Sequence, residues 1–182
     1  MGDLRHQKMK KLFAYWDTDQ NQYIEREDWL RILDRRAKLY EWSDAFYQAE
    51  RAKAENAFAA LLVFADTDED GRVSWDEFVA YFEKMFPASE SVSVEALPPM
   101  VQISVIRYVN EMDVNQDGLI EAEDYVRWFV DVVNGAEETG RDAFARIDRD
   151  GNGRLSTAEL QQAVADFYLS ADADAPGNWL FG

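Results

Sequence analysis

A chain of 182 residues with 47% hydrophobic content carries enough apolar side chain for a sizeable core, as one compact domain or two small lobes. The absence of cysteine excludes disulfides and zinc–thiolate sites, and a net charge of −17 argues against nucleic acid as a partner. No stretch is long and apolar enough to span a membrane and the N-terminus has no apolar signal segment, so no membrane association and a cytoplasmic location are expected.

Met9, Leu12, Phe13 and Trp16 recur at helical spacing and predict a helix from about Leu4 to Trp16. The next twelve residues read D-T-D-Q-N-Q-Y-I-E-R-E-D. Oxygen-bearing side chains fall at positions 1, 3, 5, 9 and 12 (Asp17, Asp19, Asn21, Glu25, Asp28), and Tyr23 at position 7 offers its backbone carbonyl. That is the spacing of an EF-hand calcium loop, in which a hard cation collects six to eight oxygens from a tight turn. Gln22 stands at position 6, where glycine normally allows the chain to reverse with φ > 0. Trp29, Ile32 and Leu33 then give a second helix its inner face. The following segment, Arg35 to Asn56, has no Pro or Gly; it predicts extension of the flanking helices, with Ser43 or Asp44 as the cap of a restart.

Phe58, Leu61, Leu62 and Ala65 lead into a second loop with Asp66, Asp68, Asp70, Arg72 through its carbonyl, Ser74 and Glu77, and with Gly71 at position 6. Phe78, Tyr81, Phe82 and Met85 follow it. Pro87 to Pro99 breaks helix at both ends and separates an N-terminal EF-hand pair, 1–88, from a C-terminal pair, 99–182. The third loop carries Asp113, Asn115, Asp117, the Leu119 carbonyl, Glu121 and Asp124. Asn134-Gly135 is a further break. The fourth loop carries Asp148, Asp150, Asn152, the Arg154 carbonyl, Ser156 and Glu159. One acidic turn is commonplace, but four at this spacing, each between apolar helix faces, are not. The four loops hold 19 of the 36 acidic residues and four basic ones, so their self-repulsion should couple folding to cation binding.

Position 8 of each loop is aliphatic (Ile24, Val73, Ile120, Leu155) and predicts a short antiparallel β contact of loop one with two and of three with four. The fold class is therefore all-α: four EF-hands in two pairs, compact, with short β contacts between paired loops. Glu at position 12 of loops two and four predicts the best Ca²⁺ sites. The shorter Asp28 and Asp124 predict Mg²⁺ tolerance at loops one and three, because fewer oxygens then reach the ion. Loop one, with Gln22, is expected to fill last. The chain ends in Trp179, Leu180 and Phe181, which are expected to fold back as a plug in a crevice between the EF-hand pairs.

Four hands, a wide first pair and the ending D-A-D-A-P-G-N-W-L-F-G resemble the sarcoplasmic calcium-binding protein family, including its bacterial calerythrin-like members. The resemblance implies two EF-hand pairs packed face to face and a role in cytosolic calcium buffering. Calcium ions are the expected partner, and a monomer is expected. A sensor that exposes a protein-binding surface is the alternative, although no protein target is indicated. The superfamily also contains coelenterazine-binding proteins, but their histidine chemistry has no counterpart here, where His6 is the only histidine. No nucleophile–base pair stands out, so an enzyme is not expected.

Overall fold

The computed structural model describes residues 2–87 and 92–182; residues 88–91 of the predicted inter-pair segment lie outside them. Among the described residues, helix–loop–helix repeats four times, giving eight α-helices and four short strands. The chain divides into two units, Met9–Met85 and a second formed by Phe86–Gly182 together with the chain up to Lys8.

In the first unit, α1 (Gly2–Trp16) delivers Met9, Leu12 and Phe13 to the core. α2 (Arg26–Leu39) begins inside the first loop and buries Ile32 and Leu33. The predicted restart occurs at Ser43, whose Oγ accepts from the Phe46 amide at 3.3 Å and caps the 22-residue α3 (Asp44–Ala65). The extra length between the first two loops is thus helix. α4 (Trp75–Met85) closes the unit. Its core is an aromatic mesh: Phe13 meets Trp75 and Phe78 edge-on at 5.3 and 5.4 Å, and Trp29 bridges Trp16 at 5.6 Å and Phe58 at 5.8 Å. Each such pair adds about 0.5–1.5 kcal/mol beyond the area it buries. Strands β1 (Tyr23–Ile24) and β2 (Val73–Ser74) run antiparallel with Ile24 opposite Val73, both fully buried, as position 8 predicts.

The second unit opens with α5 (Pro99–Met112), whose Pro99 suits a first helical turn that has no use for its amide. α6 (Ala122–Trp128) runs into a π-helical turn, Phe129–Val133, that ends on Asn134 at φ 64°. The break belongs to the adjacent glycine as much as to Asn134: a Cβ on Gly135 would lie 2.1 Å from the Phe129 ring. α7 (Glu137–Ile147) and α8 (Thr157–Leu169) form the last hand, and β3 (Leu119–Glu121) pairs with β4 (Arg154–Ser156), Ile120 opposite Leu155. Tyr125, Phe129, Ile147 and Phe167 fill the core.

Both ends of the chain are tied into this unit. Lys8 Nζ donates to the Asp166 and Ser170 carbonyls, each at 2.9 Å, placing a cation on the last turn of α8, where free carbonyls and the helix dipole favour it. Arg5 donates to the Phe86 carbonyl. At the other end, Pro176–Trp179 forms a 3₁₀ turn, Phe181 meets Phe167 edge-on at 5.0 Å, and the Arg146 guanidinium lies 4.2 Å over the Trp179 ring. Leu180 is buried. Gly177 passes so close to α8 that a Cβ there would lie 2.0 Å from the Ala163 carbonyl oxygen. The tail folds back onto α7 and α8.

Candidate metal centres

All four loops are built on one hydrogen-bond scheme. The carboxylate at position 1 accepts the amides of positions 5 and 6: Asp17 from Asn21 and Gln22, Asp66 from Asp70 and Gly71, Asp113 from Asp117 and Gly118, Asp148 from Asn152 and Gly153, at 2.8–3.2 Å. The position-5 side chain then accepts the position-7 amide at 2.8–2.9 Å (Asn21 from Tyr23, Asp70 from Arg72, Asp117 from Leu119, Asn152 from Arg154). These are local side-chain turns that Asp and Asn form readily. They bring the chain back on itself and stack positions 1, 3 and 5 along one wall.

The turn demands φ > 0 at two places. Position 6 holds Gln22 at 77° and Gly71, Gly118 and Gly153 at 82–84°. Position 4 is also left-handed, at 59–68°, and is occupied by Gln20, Glu69, Gln116 and Gly151. The second requirement is invisible in the liganding pattern, since position 4 supplies no oxygen.

In three loops carboxylate oxygens converge to within 4.8 Å of one another: Asp17, Asp19 and Asp28; Asp66, Asp68 and Asp70; Asp148, Asp150 and Glu159. Oxygens at that separation fit on a single sphere of about 2.4 Å radius, the Ca²⁺–oxygen distance, and an all-oxygen donor set suits a hard cation. The third loop does not gather three carboxylates among the described residues: Asn115 replaces the position-3 acid, and its amide is turned to Asp117 at 3.2 Å.

Position 12 behaves differently from loop to loop. Glu77 is not part of its loop's carboxylate cluster; its two oxygens accept from the amide and hydroxyl of Thr67 and of Ser74, at 2.7–2.9 Å. Burial alone would raise this carboxyl, but those four donations bring it down to about 2. Glu159 stands within its cluster, and it is also lowered, with donations from Ser156 and Arg149 outweighing burial. Asp28 is fully buried and accepts from the Thr18 amide and hydroxyl and from the Glu25 amide. Asp17 beside it has its carboxyl raised, by burial first and by the charges of Asp28 and Asp19, against the lowering effect of the Gln22 and Asn21 amides.

Several of the remaining predicted residues bond within their own loop or across the loop pair, and Asp124 lies in the first turn of α6. At position 9, Glu25 accepts from Asn21 Nδ2 at 2.9 Å, and Glu121 pairs with Arg154 across β3–β4 at 3.1 Å. Arg72 stacks over the Tyr23 ring at 4.0 Å and binds Asp70 Oδ2 at 2.6 Å. Sequence spacing did not reveal Arg31 or Asp166. Arg31, on α2, reaches back into loop one. Asp166, buried on α8, accepts from Arg149 of loop four at 2.7 Å and from Gln162 at 2.9 Å, next to Gly177 of the tail. Neither falls at a loop position, and only the curvature of the hand brings them there.

Models of known families match the chain over residues 6–83 (EF-hand domain pair), 110–130 (EF hand) and 141–169 (EF-hand domain). Calerythrin of Saccharopolyspora erythraea is 31% identical over 167 residues, covering 89% of this chain and 90% of that protein. Sarcoplasmic calcium-binding proteins I, III and IV of Branchiostoma lanceolatum are 30% identical, covering 69% and 68%. The solved structure of an amphioxus sarcoplasmic calcium-binding protein, 23% identical, superimposes with a TM-score of 0.77 over 99% of this chain and 97% of that one. Spacing, turn geometry and full-length kinship agree, and the chain is an EF-hand calcium-binding protein of the family of calerythrin and the sarcoplasmic calcium-binding proteins.

Proposed function

We propose that this protein is a monomeric, cytoplasmic calcium buffer, built from an N-terminal EF-hand pair (1–88) and a C-terminal pair (99–182) that includes its packed tail. Each loop takes the ion through positions 1, 3, 5, 7, 9 and 12, position 7 by its carbonyl. The observation that carries this reading is the convergence of carboxylate oxygens to within 4.8 Å in three loops on one shared turn. Loops two and four are the strong Ca²⁺ sites. Loops one and three, ending in the shorter Asp28 and Asp124, also admit Mg²⁺, which demands six oxygens in a tighter shell. Loop three gathers fewer carboxylates among the described residues because Asn115 supplies a neutral amide oxygen at position 3, and the lower charge is consistent with a weaker site.

Buffering rather than target recognition is supported by the interior. Calcium sensors open onto methionine-rich grooves. Here Met9 and Met112 are buried, and edge-to-face aromatic pairs join the two hands of each pair, Phe13 to Phe78 and Tyr125 to Phe144. An uptake assay with a hydrophobic dye tests the role. A buffer shows low dye binding in saturating Ca²⁺; strong uptake confined to the Ca²⁺ form would identify a regulator instead.

A further inference from the structure

Arg31 lies three residues beyond the end of the first loop, one turn into α2. Its guanidinium turns back rather than outward. A single nitrogen, Nη2, donates to Asp28 Oδ1 at 2.6 Å and to Asp19 Oδ2 at 2.9 Å, while Nε donates to Thr18 Oγ1 at 2.5 Å. Asp19 and Asp28 are positions 3 and 12 of the loop, from its two ends, and their carboxylates converge with that of Asp17. One positively charged nitrogen thus joins the two ends of the acidic cluster. An ordinary surface ion pair has both partners in water and is worth little; here the Asp28 side chain is 0% exposed and the Arg31 side chain 39%.

The other loops offer a comparison. The two that end in Asp carry arginine three residues later, Arg31 and Arg127; the two that end in Glu carry Ala80 and Gln162. Both shorter position-12 carboxylates are thus followed one turn later by an arginine, and at loop one that arginine reaches the carboxylate.

We propose that Arg31 is a tethered counter-cation of the first loop, which calcium must displace from Asp19 and Asp28, and that it sets this loop's calcium threshold above that of its partner loop. The inference rests on the reading of loop one as a calcium site. Two effects act in the same direction. The ion must break charge-assisted hydrogen bonds that the guanidinium already makes, and the arginine charge lowers the negative potential that attracts the ion. In exchange, the tether neutralises the acidic cluster when calcium is scarce.

The test uses the full chain with Arg31→Gln, Arg31→Lys and, as a control that removes one charge a turn further along α2, Arg35→Gln. Calcium binding is followed by calorimetry and by the NMR signal of the Gln22 amide, which donates to Asp17 at 2.9 Å and reports loop one alone. Arg31→Gln is expected to tighten loop one about tenfold, Arg31→Lys to lie between it and wild type, and Arg35→Gln to leave it nearly unchanged. In chelator, Arg31→Gln should melt below wild type; in saturating calcium that deficit should vanish, whereas a purely structural arginine would depress both. Unchanged or weaker binding at loop one in Arg31→Gln, or equal tightening in Arg35→Gln, overturns the proposal while leaving the loop a calcium site. A Gln22 amide that ignores calcium in wild type and variants alike overturns the underlying reading, and the proposal with it.

Discussion

Replacing Gln22 with glycine isolates the backbone strain of the first loop. Gln22 is held at φ 77°, while the three other loops place glycine at 82–84°. At Gly71, Gly118 and Gly153 no atom lies within 4 Å of where a Cβ would stand, so the penalty for a side chain at this position is conformational and not steric. A non-glycine residue in the left-handed region costs about 1–2 kcal/mol. Glycine returns about 0.4–1 kcal/mol of that through the freer unfolded chain, leaving a net gain of about 0.5–1 kcal/mol. At about 2–4 °C per kcal/mol for a chain of 182 residues, the calcium form should melt about 1–4 °C higher. The unfolded chain does not enter calcium affinity. If the calcium-free loop relaxes Gln22, the whole strain appears there, as about tenfold tighter binding; if it does not, the gain appears in both melts equally. The gain in the calcium form must equal the gain in the free form plus the gain in binding energy. Paired melts and calorimetry on Gln22→Gly close this cycle. A calcium form that melts no higher, with binding equal or weaker, would refute the strain argument.

Glu77→Gln and Glu159→Gln should each remove one calcium ion and weaken the β-paired neighbour; calorimetry with unchanged stoichiometry in both would contradict the assignment. In calcium-free buffer the depressed Glu77 carboxyl contributes stability that is complete above pH about 4.5 and lost as pH falls towards 2, so Glu77→Gln should flatten the acid melting profile across that window, and an unaltered profile counts against the Ser74 and Thr67 donations as its cause. Asp124→Glu should raise the preference of loop three for Ca²⁺ over Mg²⁺; competition by Mg²⁺ that is undiminished in the variant would discard the short-carboxylate argument. Gly177→Ala would drive a Cβ into the Ala163 carbonyl and should undock the tail, matching deletion of Asn178 to Gly182 with a loss on the order of 1.5–3 kcal/mol for each buried apolar side chain released; a variant that melts like wild type would show that the tail is dispensable.

The loops were legible because each ligand position answers to a local rule. An acid at position 1 must receive two amides, a side chain at position 5 must close the turn on position 7, and both requirements lie within twelve residues. The pairing of loops followed from four aliphatic residues at position 8, and the restart at Ser43 from its capping chemistry. What escaped depends on curvature. Arg31 meets Asp19 only because α2 leaves the loop at the angle it does, and Lys8 meets the end of α8 across most of the chain's length. The left-handed residues at position 4 escaped for another reason: Gln20, Glu69 and Gln116 have no special liking for φ > 0, and the loop imposes it on them. The π turn at Phe129–Val133 also escaped, because a π turn leaves no mark in a liganding pattern; the structure packs Gly135 against the Phe129 ring there.

The most direct test of the calcium reading is a titration followed at the four position-6 amides, Gln22, Gly71, Gly118 and Gly153, each of which donates to the position-1 aspartate of its own loop. A bound cation draws on that carboxylate and must shift the amide. Four separate transitions are predicted, Gly71 and Gly153 at the lowest calcium concentrations, Gly118 later and Gln22 last. Amides at loops two and four that stay unmoved at saturating calcium would contradict the account.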